Sequence, residues 1–263
     1  MQSERKSTLS SESRAANVKS FTRGLRVIKT MAQKQTPLTI TEVADGTGLT
    51  RAGARRLLLT LQELGYARLD GRHFSLTPRI MELGCSYSPM ASIWDITERY
   101  LRELVDDINE TVSAGMLDDL DVVYVLRERT VRPLHFDLKT GSRLPAHITS
   151  IGRVLLANLH PRQLERYFQR AVIERYTTMT ITEPGKLRAE IETVRERGYA
   201  LVIGEVDEGV CGVAVPLRER SGRVIAAIGT GLASARASEP EIRNRILPRM
   251  LATVASINQQ ICA

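Results

Sequence analysis

A group of basic side chains follows Thr50 in a stretch of the chain that is predicted to be helical. Thr50 is a favourable N-cap, and the helix that it opens should run to about Leu64 and stop at Gly65. Arginine can donate two parallel hydrogen bonds to guanine, and threonine or alanine can contact the methyl group of thymine. The candidate base-contacting residues at the start of this helix are Thr50, Arg51, Ala52, Arg55 and Arg56.

A second basic group lies on a predicted hairpin directly downstream. Two short strand-like runs flank Asp70-Gly71, a dipeptide that tolerates the positive φ of a type I′ turn. Side chains on such a hairpin are expected to contact phosphate oxygens or the minor groove of DNA. The candidate contacts of this kind are Arg68, Arg72 and His73, together with Thr41 in the preceding predicted helix.

The net charge of +7 is confined to the first third of the chain. Residues 1–90 contain 14 Lys and Arg residues and 7 Asp and Glu residues, whereas residues 91–263 contain 23 of each kind. A basic region joined to a neutral one is typical of a nucleic-acid-binding domain attached to a second domain. A solvated basic surface without a partner is the alternative that charge alone leaves open.

The elements around these basic residues are predicted in the order helix, helix, turn, helix, hairpin, helix. This order fits a winged helix-turn-helix followed by a linker helix. One apolar face is predicted on the first helix, through Phe21, Leu25, Ile28 and Met31, and another on the third, through Leu57, Leu58, Leu61 and Leu64. We therefore predict a disordered tail over 1–17, a winged helix-turn-helix over 18–76, a linker helix over 77–90 and a second domain over 91–263.

Helices and strands alternate in the second domain, which predicts an α+β fold with mainly antiparallel pairing. The predicted helices cover residues 92–110, 149–159, 161–171, 184–197 and 238–261. The predicted strands cover residues 121–126, 134–138, 199–203, 210–217 and 224–230.

The signatures of several other protein classes are missing from the sequence. It contains no nucleophile elbow, phosphate-binding glycine loop or HExxH pattern, so we predict no catalytic residue, no cofactor and no metal site. Cys85, Cys211 and Cys262 are far apart and form no CxxC pair, which predicts reduced thiols. No stretch resembles a signal peptide or approaches the roughly 20 apolar residues of a membrane span, so we expect a cytoplasmic location. An enzyme with an accessory DNA-binding domain is the alternative class.

Several segments of both domains resemble the IclR-type regulators. In the first domain these are Phe21-Thr-Arg-Gly-Leu-Arg-Val-Ile28, Ile40-Thr-Glu-Val-Ala44, Gly48-Leu-Thr-Arg51 and Leu64-Gly-Tyr66. In the second they are Gly141-Ser-Arg-Leu-Pro-Ala146, Ser150-Ile-Gly-Arg-Val-Leu-Leu-Ala157, Val194-Arg-Glu-Arg-Gly-Tyr199 and Ile225-Ala-Ala-Ile228. Within this family, Leu49-Thr-Arg-Ala-Gly-Ala-Arg-Arg-Leu-Leu58 and Phe74-Ser-Leu-Thr-Pro-Arg79 look most like the subgroup that controls aromatic-acid catabolism through the β-ketoadipate pathway.

The resemblance implies a repressor or activator of a catabolic operon that binds a double-stranded DNA operator. It implies that residues 91–263 form a GAF-like effector-binding domain and that the chain forms a dimer, often paired into a tetramer. The implied effector is a small carboxylate, such as an aromatic acid or a β-ketoadipate pathway metabolite. The pocket positions carried over from the family are Ser150, Ile151, Val202, Gly212, Gly229 and Gly231.

Four of these positions depart from the members of the family that bind small keto acids. Polar side chains in those members correspond here to Val202, Gly212, Gly229 and Gly231. The change removes hydrogen-bond partners and adds room, which predicts a larger and less polar effector. An aromatic acid fits this description better than a keto acid.

Three further residues near these positions are candidate effector contacts. Gly152 lies with Ser150 at the start of a predicted helix, where backbone N–H groups and the helix dipole favour an anion, although close packing would also explain this glycine. His147 could hydrogen-bond an effector carboxylate or be a structural histidine. Glu205 could reach the pocket mouth, as could Asp207 and Glu208, or all three could be solvated loop carboxylates.

Overall fold

The computed structural model describes residues 18–34, 36–85, 91–130 and 138–262. The chain divides into two compact units, residues 1–89 and 90–263, which are described separately below. The predicted tail over 1–17, residues 86–90 of the predicted linker helix and most of the predicted strand over 134–138 lie outside the described residues.

The first unit is a helix-turn-helix with a small antiparallel sheet, as predicted. Its elements are α1 (Lys19–Lys34), β1 (Leu38–Thr39), α2 (Ile40–Thr47), α3 (Arg51–Glu63), β2 (Ala67–Asp70) and β3 (His73–Leu76). The sheet has the order β1-β3-β2, so the predicted hairpin is extended by β1, a two-residue strand that the sequence pattern did not predict. A short helical turn (Pro78–Ile80) and α4 (Met81–Cys85) follow the hairpin.

Capping side chains define the two helices of the helix-turn-helix. Thr39 and Glu42 form a reciprocal capping box at the start of α2, and Gly48 ends α2 with a φ of 67°. The backbone N–H of Gly53 donates to Thr50 Oγ1 at 3.1 Å, which confirms Thr50 as the N-cap of α3. These local hydrogen bonds set the turn between the two helices, and with it the residue at which α3 begins.

The core of the first unit corrects part of the predicted apolar faces. Val27 and Met31 are buried on α1, whereas Phe21 is 68% exposed and Leu25 is 42% exposed. Each residue turns an α-helix by about 100°, so the face that contains Val27 and Met31 is offset from the one that contains Phe21 and Leu25. Leu64 is also exposed, because α3 ends at Glu63 and Leu64 lies beyond its buried face.

The turn of the hairpin differs in type from the expectation. Asp70 pairs with His73, so the two loop residues are Gly71 and Arg72. Gly71 has a φ of 57°, but Arg72 is not among the described residues with positive φ. A type I′ turn requires positive φ at both loop positions, whereas a glycine at the first position alone is typical of type II′.

The second unit is an antiparallel sheet with helices on both faces, which confirms the predicted α+β class. Its longer helices are α5 (Ala91–Ile108), α6 (Ser150–Ala157), α7 (Pro161–Arg170), α8 (Pro184–Arg197) and α9 (Leu247–Cys262), and a single helical turn covers Glu239–Glu241. Its strands are β4 (Val112–Asp118), β5 (Asp121–Glu128), β6 (Arg143–Pro145), β7 (Ala200–Ile203), β8 (Val210–Arg218) and β9 (Val224–Ala233). The strand order is β6-β5-β4-β9-β8-β7, and every pair is antiparallel.

Two apolar clusters cover the two faces of this sheet. One contains residues of α5 and α9 with the side chains of β4, β8 and β9 that include Val112, Val213 and Ile228. The other contains residues of α6 and α8 with Tyr124 of β5 and Ala214 of β8. The functional site described below lies on the α6 face, at the end of the second cluster.

Two features of the second unit were not predicted from the pattern of apolar residues. β4 begins with small residues, including Ser113 and Gly115, and has no clear alternation. The predicted C-terminal helix is interrupted before α9 by a π-helical turn over Ile242–Ile246, in which the N–H of Leu247 donates to the carbonyl of Ile242. Pro248 follows with no N–H to donate, which accounts for a break in the α-helical pattern at this point. Within the described residues, no helix is both long and apolar enough to span a bilayer.

Candidate functional site

Helix α3 separates its apolar side chains from its basic ones. Ala54, Leu58 and Leu61 are buried in the core of the first unit. The five predicted base-contacting residues, Thr50, Arg51, Ala52, Arg55 and Arg56, are all exposed. The structure therefore brings these five residues together on one outward surface at the beginning of the helix.

The predicted contacts outside α3 differ in how freely their side chains can move. Arg72 is exposed at the tip of the hairpin, whereas the Nε of Arg68 donates to Ser75 Oγ at 3.0 Å across it. His73 is half-buried and pairs with Thr39 of β1, and Thr41 is half-buried in the first turn of α2. Arg68 and Arg72 are thus the exposed basic side chains of this group, and Arg68 is held by its hydrogen bond to Ser75.

A pocket in the second unit has the sheet as its floor and the start of α6 as one wall. Its empty volume is about 660 Å³, part of which is open to solvent. Seven of the nine predicted effector contacts line it: Ser150, Ile151, Val202, Glu205, Gly212, Gly229 and Gly231. The strand pairing explains this grouping, because Val202 lies opposite Gly212 and Gly212 opposite Gly231 on three adjacent strands.

The glycines in the floor allow α6 to approach the sheet closely. A Cβ on Gly212 would lie 2.8 Å from Ser150 Oγ, and a Cβ on Gly229 would lie 2.5 Å from Ile151 Cγ1. Real Cβ atoms do not approach other atoms this closely, so a side chain at either position would require the side chain of Ser150 or Ile151 to move. The prediction that these glycines add room is therefore incomplete, because α6 occupies part of the space that they leave.

His147 and Gly152 are the two predicted effector contacts that do not line the pocket. A Cβ on Gly152 would lie 2.0 Å from the carbonyl oxygen of Ala146, so this glycine permits close packing of the backbone. The ring Nε2 of His147 lies 3.5 Å from the carbonyl oxygen of Glu174, and burial lowers the pKa of this histidine. The structure therefore favours the alternatives given in the sequence analysis, namely close packing at Gly152 and a structural histidine at position 147.

The start of α6 is less available to an anion than predicted. The backbone N–H of Gly152 donates to Thr149 Oγ1 at 3.0 Å, so the protein's own N-cap satisfies one of the first-turn amides. The amides of Ser150 and Ile151 precede it on the pocket wall. An anion could therefore use at most part of the helix terminus.

Five polar residues in the pocket were missed by the sequence reasoning: Ser113, Tyr124, Arg127, Thr149 and Thr230. The Arg127 Nη1 donates to Ser113 Oγ at 3.0 Å, and burial raises the pKa of Tyr124 to about 12, which keeps its hydroxyl neutral. A bulge explains why strand alternation did not indicate this set. Gly115 of β4 pairs with Tyr124 while its neighbour Ala114 pairs with Leu126, so the extra residue brings Tyr124 and Arg127 to the same face.

Glu205 is held in a buried ion pair rather than in a solvated loop. Its Oε2 lies 2.6 Å from Arg153 Nη2, and the two side chains are only 6% and 2% exposed. Arg153 also donates through Nε to the carbonyl of His147 at 3.0 Å. Asp207 and Glu208 do not line the pocket. Of the three carboxylates, only Glu205 is therefore a pocket residue rather than a solvated loop carboxylate.

Both units match known protein families. Residues 20–71 match the IclR helix-turn-helix domain, and residues 85–261 match the family described as bacterial transcriptional regulator IclR C-terminal. The chain is 36% identical to the Pca regulon regulatory protein of Pseudomonas putida over 243 residues, covering 92% of this chain and 84% of that protein. It is 29% identical to the p-hydroxybenzoate hydroxylase transcriptional activator of Acinetobacter baylyi over 244 residues, covering 91% of this chain and 90% of that protein.

A solved structure supports the fold. An IclR homologue from Microbacterium hydrocarbonoxydans, crystallised with 4-hydroxybenzoate, superposes with a TM-score of 0.82 at 22% identity, covering 92% of this chain and 98% of that chain. The predicted resemblance is thereby confirmed, and so is its aromatic-acid subgroup, through the two relatives named above. The chain belongs to the IclR family of bacterial transcriptional regulators.

Proposed function

We propose that this regulator controls a catabolic operon in response to an aromatic carboxylate that binds in the pocket beside α6. The observation that carries the proposal is the combination of an arginine, Arg127, with a glycine floor and apolar walls in one cavity. A guanidinium matches a carboxylate in charge and geometry. Gly212, Gly229 and Gly231 place no side chains of their own in this cavity.

The apolar part of the pocket fits an aromatic ring better than a small keto acid. Its apolar walls are Leu138, Leu144, Ile148, Ile151, Val202, Val206 and Val210. Ligand pockets are usually lined in this way, with a few polar groups that fix the orientation. The Microbacterium homologue was crystallised with 4-hydroxybenzoate, an acid of this class.

Operator recognition is assigned by this proposal to the exposed side chains of α3 and the hairpin. Arg51 and Arg55 would contact base edges in the major groove, as the first residues of a recognition helix do. Arg72 would contact phosphate or the minor groove. A regulator that binds the bacterial chromosome and a small metabolite would work in the cytoplasm, which is the location we propose.

A second copy of the chain is the partner that we propose for the apolar surface of α1. Phe21 and Leu25 are exposed there on one side of the helix. A dimer would cover them and would present two recognition helices at a fixed separation. Effector binding would favour one arrangement of the dimer and thereby change operator affinity.

Calorimetric titration of the full-length protein with benzoates tests the effector assignment. Arg127→Met should weaken the binding of an aromatic acid by about 10- to 100-fold, because a hydrogen bond to a charged group contributes about 1.5–3 kcal/mol. Arg170→Met, which changes an exposed arginine on α7, is the matched control and should bind like the wild type. If no aromatic carboxylate binds the wild-type protein, the proposed effector class is wrong.

A further inference from the structure

The two edges of the sheet in the second unit are protected to different degrees. At one edge lies β6, which ends in Pro145 and whose Arg143 forms ion pairs with Asp118 and Asp121. At the other edge lies β7, with the sequence Ala-Leu-Val-Ile. Charged side chains and proline are among the usual means by which proteins prevent a sheet edge from pairing with another chain. The strand β7 has neither a charge nor a proline.

The outward backbone groups of β7 belong to Leu201 and Ile203. The N–H of Gly204 donates to the carbonyl of Val210, and the pairing of β7 with β8 continues from there without a shift of register. Because residues of an antiparallel strand alternately bond to a neighbouring strand and face away from it, Val202 bonds to β8. Leu201 and Ile203 therefore direct their N–H and C=O groups away from the sheet. Within the described part of the chain, no group bonds to them.

The protein closes this edge on both sides of the two residues. The carbonyl of Tyr199 accepts a hydrogen bond from Arg197 Nε at 2.6 Å, and the carbonyl of Glu205 accepts one from Thr180 Oγ1 at 2.8 Å. The side chain of Ile203 is 50% exposed, although it lies in a strand of the sheet. The open part of the edge thus offers two N–H groups, two carbonyls and an exposed apolar side chain.

We infer that β7 pairs in antiparallel orientation with β7 of a second copy of this chain, across a twofold axis at Val202. This pairing places Leu201 of each copy opposite Ile203 of the other, so that every outward N–H meets a carbonyl. It also covers each exposed Ile203 with an apolar side chain. The donors and acceptors of the edge match each other in this way, which is the self-complementarity that a twofold interface requires. The contact is separate from the α1 surface and does not depend on the identity of the effector.

The charges at the two ends of β7 favour the antiparallel orientation. Arg197 precedes the strand, whereas Asp207 and Glu208 follow it. Antiparallel pairing brings the basic end of one strand beside the acidic end of the other, whereas parallel pairing would bring like charges together. An edge with two open residues buries little surface, so the association should be weak and should depend on protein concentration.

Sedimentation velocity of the full-length protein at increasing concentrations tests this contact. Ile203→Lys should reduce the mass of the wild-type assembly to half, because lysine places a charge on the open edge. Leu251→Lys is the matched control, since Leu251 is 46% exposed on α9, and its assembly should keep the wild-type mass. Ile203→Thr keeps a β-branched side chain suited to a strand, so it should fold like the wild type and associate more weakly. Circular dichroism checks the folding of all three variants.

Hydrogen exchange followed by mass spectrometry measures the backbone pairing directly. The amides of Leu201 and Ile203 should exchange more slowly in the wild type as the protein concentration rises, because pairing removes them from water. At Leu201 this dependence on concentration should disappear in Ile203→Lys and remain in Leu251→Lys.

The results separate this contact from the other proposals. If α1 also pairs, Ile203→Lys converts a tetramer into a dimer, and if α1 does not pair, it converts a dimer into a monomer. A wild-type mass that Ile203→Lys leaves unchanged overturns the inference. Slow exchange of both amides at every concentration also overturns it, because the edge is then covered by a segment of the same chain. Loss of the assembly in Leu251→Lys alone places the interface on α9 and overturns it as well.

Discussion

The two units use arginine in opposite ways. Arg51, Arg55 and Arg56 of the first unit are exposed and form no ion pair within the described residues. In the second unit, Arg153 is almost completely buried and is paired with Glu205. An exposed guanidinium remains solvated and can exchange water for a phosphate or a base edge, whereas a buried one requires a fixed partner.

This difference explains why the net charge of the chain lies in its first third. The second unit neutralises its charges internally, through pairs such as Arg153–Glu205 and the exposed Arg170–Asp119. The first unit leaves its positive charge exposed on α1, α3 and the hairpin, where a polyanion can reach it. The predictions below test whether the two groups of arginines have these separate roles.

The largest effect is expected from removing the buried arginine. Arg153→Met should lower the free energy of unfolding of the second unit by about 3–5 kcal/mol, because Glu205 is then a buried charge without its partner. Urea unfolding followed by the fluorescence of Trp94, the only tryptophan of the chain, reports on this unit. Arg170→Met removes one partner of an exposed pair and should cost no more than about 1 kcal/mol. Equal losses of unfolding free energy in Arg153→Met and Arg170→Met would contradict the difference between the buried and the exposed arginine.

A smaller effect, on DNA affinity rather than stability, is expected from the exposed arginines of α3. Arg51→Ala and Arg55→Ala should each weaken binding by about 10- to 100-fold, because a bidentate contact to a base contributes about 1–3 kcal/mol. The DNA affinity is measured by fluorescence anisotropy. The DNA site is one that the wild-type protein selects from a random library. Arg166→Ala, an exposed arginine on α7, is the control. Wild-type affinity in both α3 variants would remove these residues from the proposed interface.

The smallest effect is expected at the tip of the hairpin. Arg72→Ala should reduce the slope of log affinity against log salt concentration by about 0.9, the value for one lost phosphate contact. The preference for the selected DNA site over a scrambled one should remain, since a phosphate contact carries no base information. A loss of sequence preference would instead indicate that Arg72 reads bases. Arg166→Ala should leave both quantities unchanged.

Local signals explain which elements could be predicted. Thr50 and Gly53 form a cap within three residues, and α8 runs over Pro184–Arg197 as predicted, ended by Gly198. The faces of α1 were harder to predict, because apolar spacing alone did not indicate that Val27 and Met31, rather than Phe21 and Leu25, face the core. Which side of a helix is buried depends on the elements that pack against it. The spacing of apolar residues along the helix does not show where those elements lie.

Some residues of the pocket could be predicted from the family resemblance, and others were shown only by the structure. Family resemblance indicated Ser150, Ile151 and the floor glycines, but it did not indicate Arg127 or distinguish a buried Glu205 from a solvated one. Arg127 reaches the pocket face through a bulge opposite Ala114 and Gly115, and a bulge reverses the alternation on which strand prediction depends. Glu205 and Arg153 are 52 positions apart in the chain, so their pairing follows from the packing of α6 against the sheet.

By itself, the sequence determined the class of the protein, the order of its DNA-binding elements and the location of its positive charge. These properties depend on composition, on caps and turns only a few residues long, and on segments that resemble a family. The tertiary structure alone decided which charged groups face the pocket, how they are neutralised and how much space the glycines leave. Those properties depend on strand register and on contacts between distant parts of the chain, which no local pattern specifies.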